Sequence, residues 1–241
     1  VDEGLWNRTR HNPIRLLQLV EPGRLRVMPC TGRYGLMDST DGKIQISFLE
    51  AGPWLELEVG GSMAASDMVS FLRKTVKAER VTAFLSEVRD VEGMTLPVFR
   101  LVGPLDRPDG ITFAGGAITV RHGSFRYPAL PERASAVQGR VVLSDGGTQF
   151  EEVSGALGDL TVQVQGGITA GATPVFQDFV VHMNGDAEHV SRLVLGKMAA
   201  QGVFEGVLSA AVQLTGPVGT PHVRGNLVLT ESKFTVPDFV E

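Results

Sequence analysis

The feature that most constrains this chain is strict apolar–polar alternation in short runs, cut by glycine or proline. In LTVQVQ, Leu160, Val162 and Val164 stand opposite Thr161, Gln163 and Gln165. A period of two turns successive side chains to opposite sides of a pleated strand, so each such run has one dry face and one wet face. GKIQISFL repeats the pattern with Ile44, Ile46 and Phe48 against Lys43, Gln45 and Ser47; after Ala51-Gly52-Pro53, WLELEV sets Leu55, Leu57 and Val59 against Glu56 and Glu58. FEGVLSAAVQLTG does so with Leu208, Ala210, Val212 and Leu214, and NLVLT adds Leu227 and Leu229. The 29 glycines fall between the runs and aromatics make up only 7% of the chain, which fits many strands and tight turns.

The period changes between Ser66 and Gly93. Ser66 is expected to cap a helix with Asp67 in its first turn, and Met68, Val69, Phe71, Leu72 and Val76 follow at helical intervals. Val81, Phe84, Leu85 and Val88 continue it as one long helix or a second short one. A shorter helical piece is expected at 187–199, with Val190, Leu193 and Val194.

The helix-then-strand arrangement recurs. Gly103-Pro104 and Pro108 match Gly216-Pro217 and Pro221 at an offset of 113, and Gly116, Phe125 and Pro128 match Gly225, Phe234 and Pro237 at an offset of 109. A unit of about 110 residues therefore occurs nearly twice between 42 and 241, preceded by residues 1–41 as an edge strand or the end of an earlier repeat.

Side chains that could carry chemistry are dispersed. The five histidines, His11, His122, His182, His189 and His222, form no pair with metal-ligand spacing, and Cys30 is the single cysteine. No GxSxG elbow and no phosphate-binding glycine loop occurs; Gly60-Gly61, Gly115-Gly116, Gly146-Gly147 and Gly166-Gly167 read as turns and bulges. The net charge of -5, without a dense basic block, argues against nucleic acid. No apolar run approaches the roughly 18 residues of a membrane span. The sequence thus leads to no catalytic residues, no metal and no cofactor; Cys30 meeting His122 is the one enzymatic pairing to consider.

The dry faces could meet one another in a sandwich or barrel, or curve around open space as a trough. The glycine load and the helix ahead of the strand array favour a mainly β fold: an open, strongly curved antiparallel sheet forming a groove, with one or two short amphipathic helices capping or flanking it. In a trough the lining would be Ile44, Ile46, Phe48, Leu55, Leu57, Val59, Leu160, Val162, Val164, Leu208, Ala210, Val212, Leu214, Leu227 and Leu229.

The repeated signature, a helix, then LVGPLDRP or LTGPVGTP, then a strand reaching GSFRYP or ESKFTVP, resembles the C-terminal region of AsmA-like proteins of the Gram-negative envelope, the TamB/YhdP type. VQGRVVLSDGGTQFEEVSGALGDLTVQVQG adds a second phrase of that kind, and the resemblance covers roughly residues 42 to 241. It implies a periplasmic β-groove that conducts phospholipids between inner and outer membranes by shielding their acyl chains. It also implies an inner-membrane anchor elsewhere in a longer protein, and involvement with an outer-membrane protein. The alternative is a non-catalytic envelope assembly module that captures β-rich outer-membrane proteins through exposed sheet edges.

Overall fold

A computed structural model describes residues 17–21, 23–34, 37–75, 79–130, 132–187 and 203–235. The described chain forms one sheet of twelve antiparallel strands, each hydrogen-bonded only to its neighbours in sequence. These are β1 (Leu17–Glu21), β2 (Arg24–Tyr34), β3 (Met37–Leu49), β4 (Gly52–Ala64), β5 (Arg89–Pro104) and β6 (Thr112–Arg126). They continue as β7 (Ala134–Ser144), β8 (Gly147–Leu157), β9 (Leu160–Thr169), β10 (Val175–Asp186), β11 (Val203–Pro217) and β12 (His222–Thr235). Among the described residues the outer strands β1 and β12 each have one partner, so the sheet is open. The division expected at residue 41 falls inside β3, and the sheet runs through it.

Two helices interrupt the meander between β4 and β5: α1 (Ala65–Thr75) and α2 (Glu79–Glu87). The helical stretch is therefore two short pieces. α1 begins at Ala65, directly after the last residue of β4, so Ser66 is already inside it and is not the cap; the Ser66 carbonyl accepts from the Ser70 hydroxyl. The short helix expected at 187–199 lies outside the described residues beyond Ala187, which is helical.

Among the described residues fourteen apolar side chains are buried, Pro97 included, and no second sheet faces the first. In a sandwich, every inward position would be covered by the opposing layer.

Bulges bend the sheet at regular places. In β5/β6, β7/β8, β9/β10 and β11/β12, the register shifts where a positive-φ glycine faces a non-glycine residue in the left-handed region. The pairs are Gly93 with His122, Gly139 with Glu152, Gly166 with Asp178, and Gly206 with Glu231. At Gly93, φ is 107° and an added Cβ would lie 2.7 Å from the His122 carbonyl oxygen, so both conformation and space require glycine. Each bulge adds an unpaired residue and increases local twist, and repetition every second strand coils the whole sheet.

The sequence repeat has a counterpart in strand register. Thr95↔Val120, Pro97↔Ile118 and Phe99↔Gly116 in β5/β6 correspond to Leu208↔Leu229, Ala210↔Leu227 and Val212↔Gly225 in β11/β12 at the same offsets of 113 and 109. One strand earlier, Gly60↔Val98 and Ala64↔Met94 correspond to His182↔Ala211 and Asp186↔Val207. Ala65 and Ala187, both buried, then each open the segment that follows.

Candidate functional site

Residues directly opposite each other in an antiparallel ladder project from the same face. Ile44 faces Leu57, Leu57 faces Leu101, and Leu101 faces Phe113; Ile46 faces Leu55. Val59 pairs with Phe99, Phe99 with Gly116, and Gly116 with Leu143. Val141 pairs with Phe150; beyond the bulge, Val153 pairs with Val164, Val164 with Val181, and Val181 with Val212. Leu208 meets Leu229, Ala210 meets Leu227, and Leu214 meets Val223. Followed strand by strand, the register brings every residue of the expected lining onto a single face running from β2 to β12.

The register also adds residues that alternation alone did not select. Phe99, Phe113, Phe150, Phe176 and Phe179 share this face. Phe150 and Phe179 belong to β8 and β10, yet their ring centroids are 5.6 Å apart because Gly166 leaves the intervening position on β9 empty. Phe176 packs on Phe179 at 4.9 Å. The missed signal was spacing: a bulge puts Phe150 and Val153 on one side although they are three residues apart.

Exposure along the face is uneven. Ile44, Ile46, Leu55, Leu57, Val59, Val162, Val164, Val212, Leu214 and Leu229 are half-buried, while Phe48 and Leu227 are each 61% exposed. Leu160 is 1% exposed and packs with Ala187, Leu208, Leu157, Val162, Met183 and Leu229. At that end of β8–β12, the expected lining is filled by the protein's own side chains, since the chain leaving β10 folds Ala187 onto it.

The helices close the corresponding end of β4–β6. Phe71 of α1 stacks on Phe99 at 5.6 Å, and Met68, Leu85 and Val88 are buried with Thr95 and Pro97. The Arg73 guanidinium donates to the Leu85 and Val88 carbonyls at 2.9 and 2.7 Å, joining α1 to the end of α2. Phe84 reaches Tyr127 just beyond β6 at 5.0 Å.

The other face carries ion pairs across strands, alongside the exposed Met94, Val98, Val207 and Val228. Lys43 pairs with Glu58 at 2.9 Å, Arg100 with Glu56 at 3.3 Å, and Arg140 with Glu151 at 2.6 Å. The hydrogen bond and charge of Glu58, with Asp41 adding, raise the Lys43 ammonium above its usual pKa of 10.5. Over β9–β12 this face dips into a shallow depression of about 360 Å³ lined by Thr161, Gln163, His182, Asn184, Ser209 and Asn226 among others. Asn184 already donates to the Ser209 hydroxyl there.

Potential catalytic side chains are not drawn together. Cys30 is in β2 and His122 in the β6 bulge, four strands away, about 19 Å of path at ordinary strand spacing. His182 and His222 are on β10 and β12; His11 and His189 lie outside the described residues. Among the described residues no group of three metal-ligating side chains is assembled, and no helix is long and apolar enough to cross a membrane. Comparison of the chain with protein-family models, curated proteins and solved structures found no match.

Proposed function

We propose that this chain is a section of a hydrophobic groove that shields phospholipid acyl chains and lets them move along it. The observation that carries this reading is the apolar face that the register continues from β2 to β12, with no second sheet over it among the described residues. Across ten strand intervals the face is about 48 Å long, against roughly 15 Å of hydrocarbon in one bilayer leaflet. A lipid tail can therefore occupy several successive positions. Each methylene moved from water onto the wall contributes about 0.8 kcal/mol, and no directional bond fixes the chain at one site, so sliding costs little.

The AsmA-like resemblance of the repeated helix–strand signature supports a groove in the periplasm, between inner and outer membranes, without catalysis and with an anchor elsewhere. The chain should copurify with phospholipid when prepared without detergent. A benzophenone side chain placed at Leu57, on the apolar face, should crosslink lipid, whereas one at Glu56 should not. Lipid-free protein together with equal labelling at both positions would count decisively against the groove.

The two outer strands, each with one partner among the described residues, favour a second reading, capture of a β-rich outer-membrane protein by strand addition, since Val223, Leu227 and Val228 of β12 are all exposed. Saturable binding of such a protein by lipid-free chain, abolished by proline at alternate β12 positions, would support it over the first.

A further inference from the structure

We infer that the groove is polarised across its width: one lip is covered by α1 and α2 after β4 and by Ala187 after β10, and lipid headgroups emerge along the opposite lip. This rests on the acyl-groove reading above.

In a meander, connections alternate between the two ends of the strands. The β4–β5 and β10–β11 connections leave from one end; the turns β3–β4, β5–β6, β7–β8 and β11–β12 lie at the other. At the first end α1 lies on the apolar face, with Met68 3% exposed and Phe71 stacked on Phe99. Arg73 ties the helix pair together, and Arg133 bonds Glu92 at 2.8 Å and the Ser124 hydroxyl at 2.7 Å across the neighbouring strand ends. Further along the same lip, Ala187 covers Leu160 and Leu208. At these two places the wall itself is covered, by helices whose Phe71 and Phe84 remain 39% and 44% exposed and by Ala187.

The turn lip is the reverse. Phe48, Leu105, Phe113 and Val223 of the apolar face are each more than 40% exposed there, with no α-helix over them among the described residues. Exposed charges of both signs stand next to them, including Arg24, Glu50, Asp106, Arg107 and Asp109. A phospholipid needs its tails on apolar wall and its headgroup in water. The turn lip offers both at once.

The matching registers of β4–β6 and β10–β12 put both closures on the same lip. A lipid moving from one repeat to the next therefore keeps its headgroup on one side and need not turn over.

Phosphatidylcholine vesicles doped with either of two photoreactive phospholipids test this on the wild-type chain. One carries its diazirine at the acyl terminus, the other on the headgroup, and adducts are mapped by peptide mass spectrometry. Headgroup adducts are expected on peptides spanning 48–54, 105–113 and 218–224, with acyl adducts at mid-strand positions such as Val164 and Val181. Headgroup adducts on 65–87, or spread evenly over both lips, overturn the polarity while leaving the groove. Absence of acyl adducts from the apolar face overturns the groove reading and this inference with it.

Discussion

Val164 and Gln163 are adjacent in sequence and project from opposite faces of β9, so placing aspartate at each in turn asks what the apolar face touches. Val164 is half-buried between Val153 and Val181. Full burial of a valine is worth about 1.5–3 kcal/mol, so losing its half-buried contacts costs about 1 kcal/mol. If the face borders an open groove, the new carboxylate stays hydrated from the groove side and adds little, for a total of about 1–2 kcal/mol. If the face is instead sealed against protein, an unpaired buried carboxylate adds several kcal/mol more, enough to unfold a domain of ordinary stability. Urea unfolding followed by circular dichroism measures the difference, with Gln163→Asp expected within about 0.5 kcal/mol of wild type. On the lipid side, Val164→Asp removes the wall under about three methylenes, roughly 2.4 kcal/mol or some 50-fold in retention per position. A Val164→Asp protein that fails to fold while Gln163→Asp folds normally would refute the open face. Unchanged lipid retention in a folded Val164→Asp protein would refute its contact with lipid.

Leu160→Ala should lower unfolding free energy by about 2–5 kcal/mol in the same assay, since Leu160 is fully enclosed by the Ala187–Leu208 cluster and its removal leaves a cavity. Gly166→Ala should cost more than Gly171→Ala: both have φ near 115°, but only at Gly166 would the added Cβ fall against the Asp178 carbonyl, whereas nothing lies within 4 Å of Gly171. Equal losses at the two positions would show that conformation alone, without close strand approach, demands glycine. Arg73→Met should speed amide exchange in α2 far more than in β8 or β9 and cost about 1–3 kcal/mol, because two carbonyls lose a charged donor.

Part of this architecture was legible because alternation is local. Ile44, Leu57 and Val164 could each be assigned to a dry face from their immediate neighbours, and the helical interruption showed as a change of period. What alternation lacks is a way to connect one dry face to the next. Gly166 opposite Asp178 and Gly139 opposite Glu152 insert residues that shift the count, so the aromatic set Phe150, Phe176 and Phe179 follows no simple spacing along the chain. The cap expected at Ser66 failed for a related reason, since β4 runs straight into α1 with no intervening loop residue to act as one.

Sequence by itself determined that the chain makes many one-sided strands, a helical interlude and a recurring signature, because side-chain polarity at period two or 3.6 is a property of neighbouring residues. Tertiary structure alone decided that the dry sides coincide, that α1, α2 and Ala187 cover parts of one end of them, and that no second sheet covers the rest among the described residues. Those outcomes depend on hydrogen-bond register between strands and on where each bulge falls, and a shift of a single residue would have turned any one strand's apolar side to the other face.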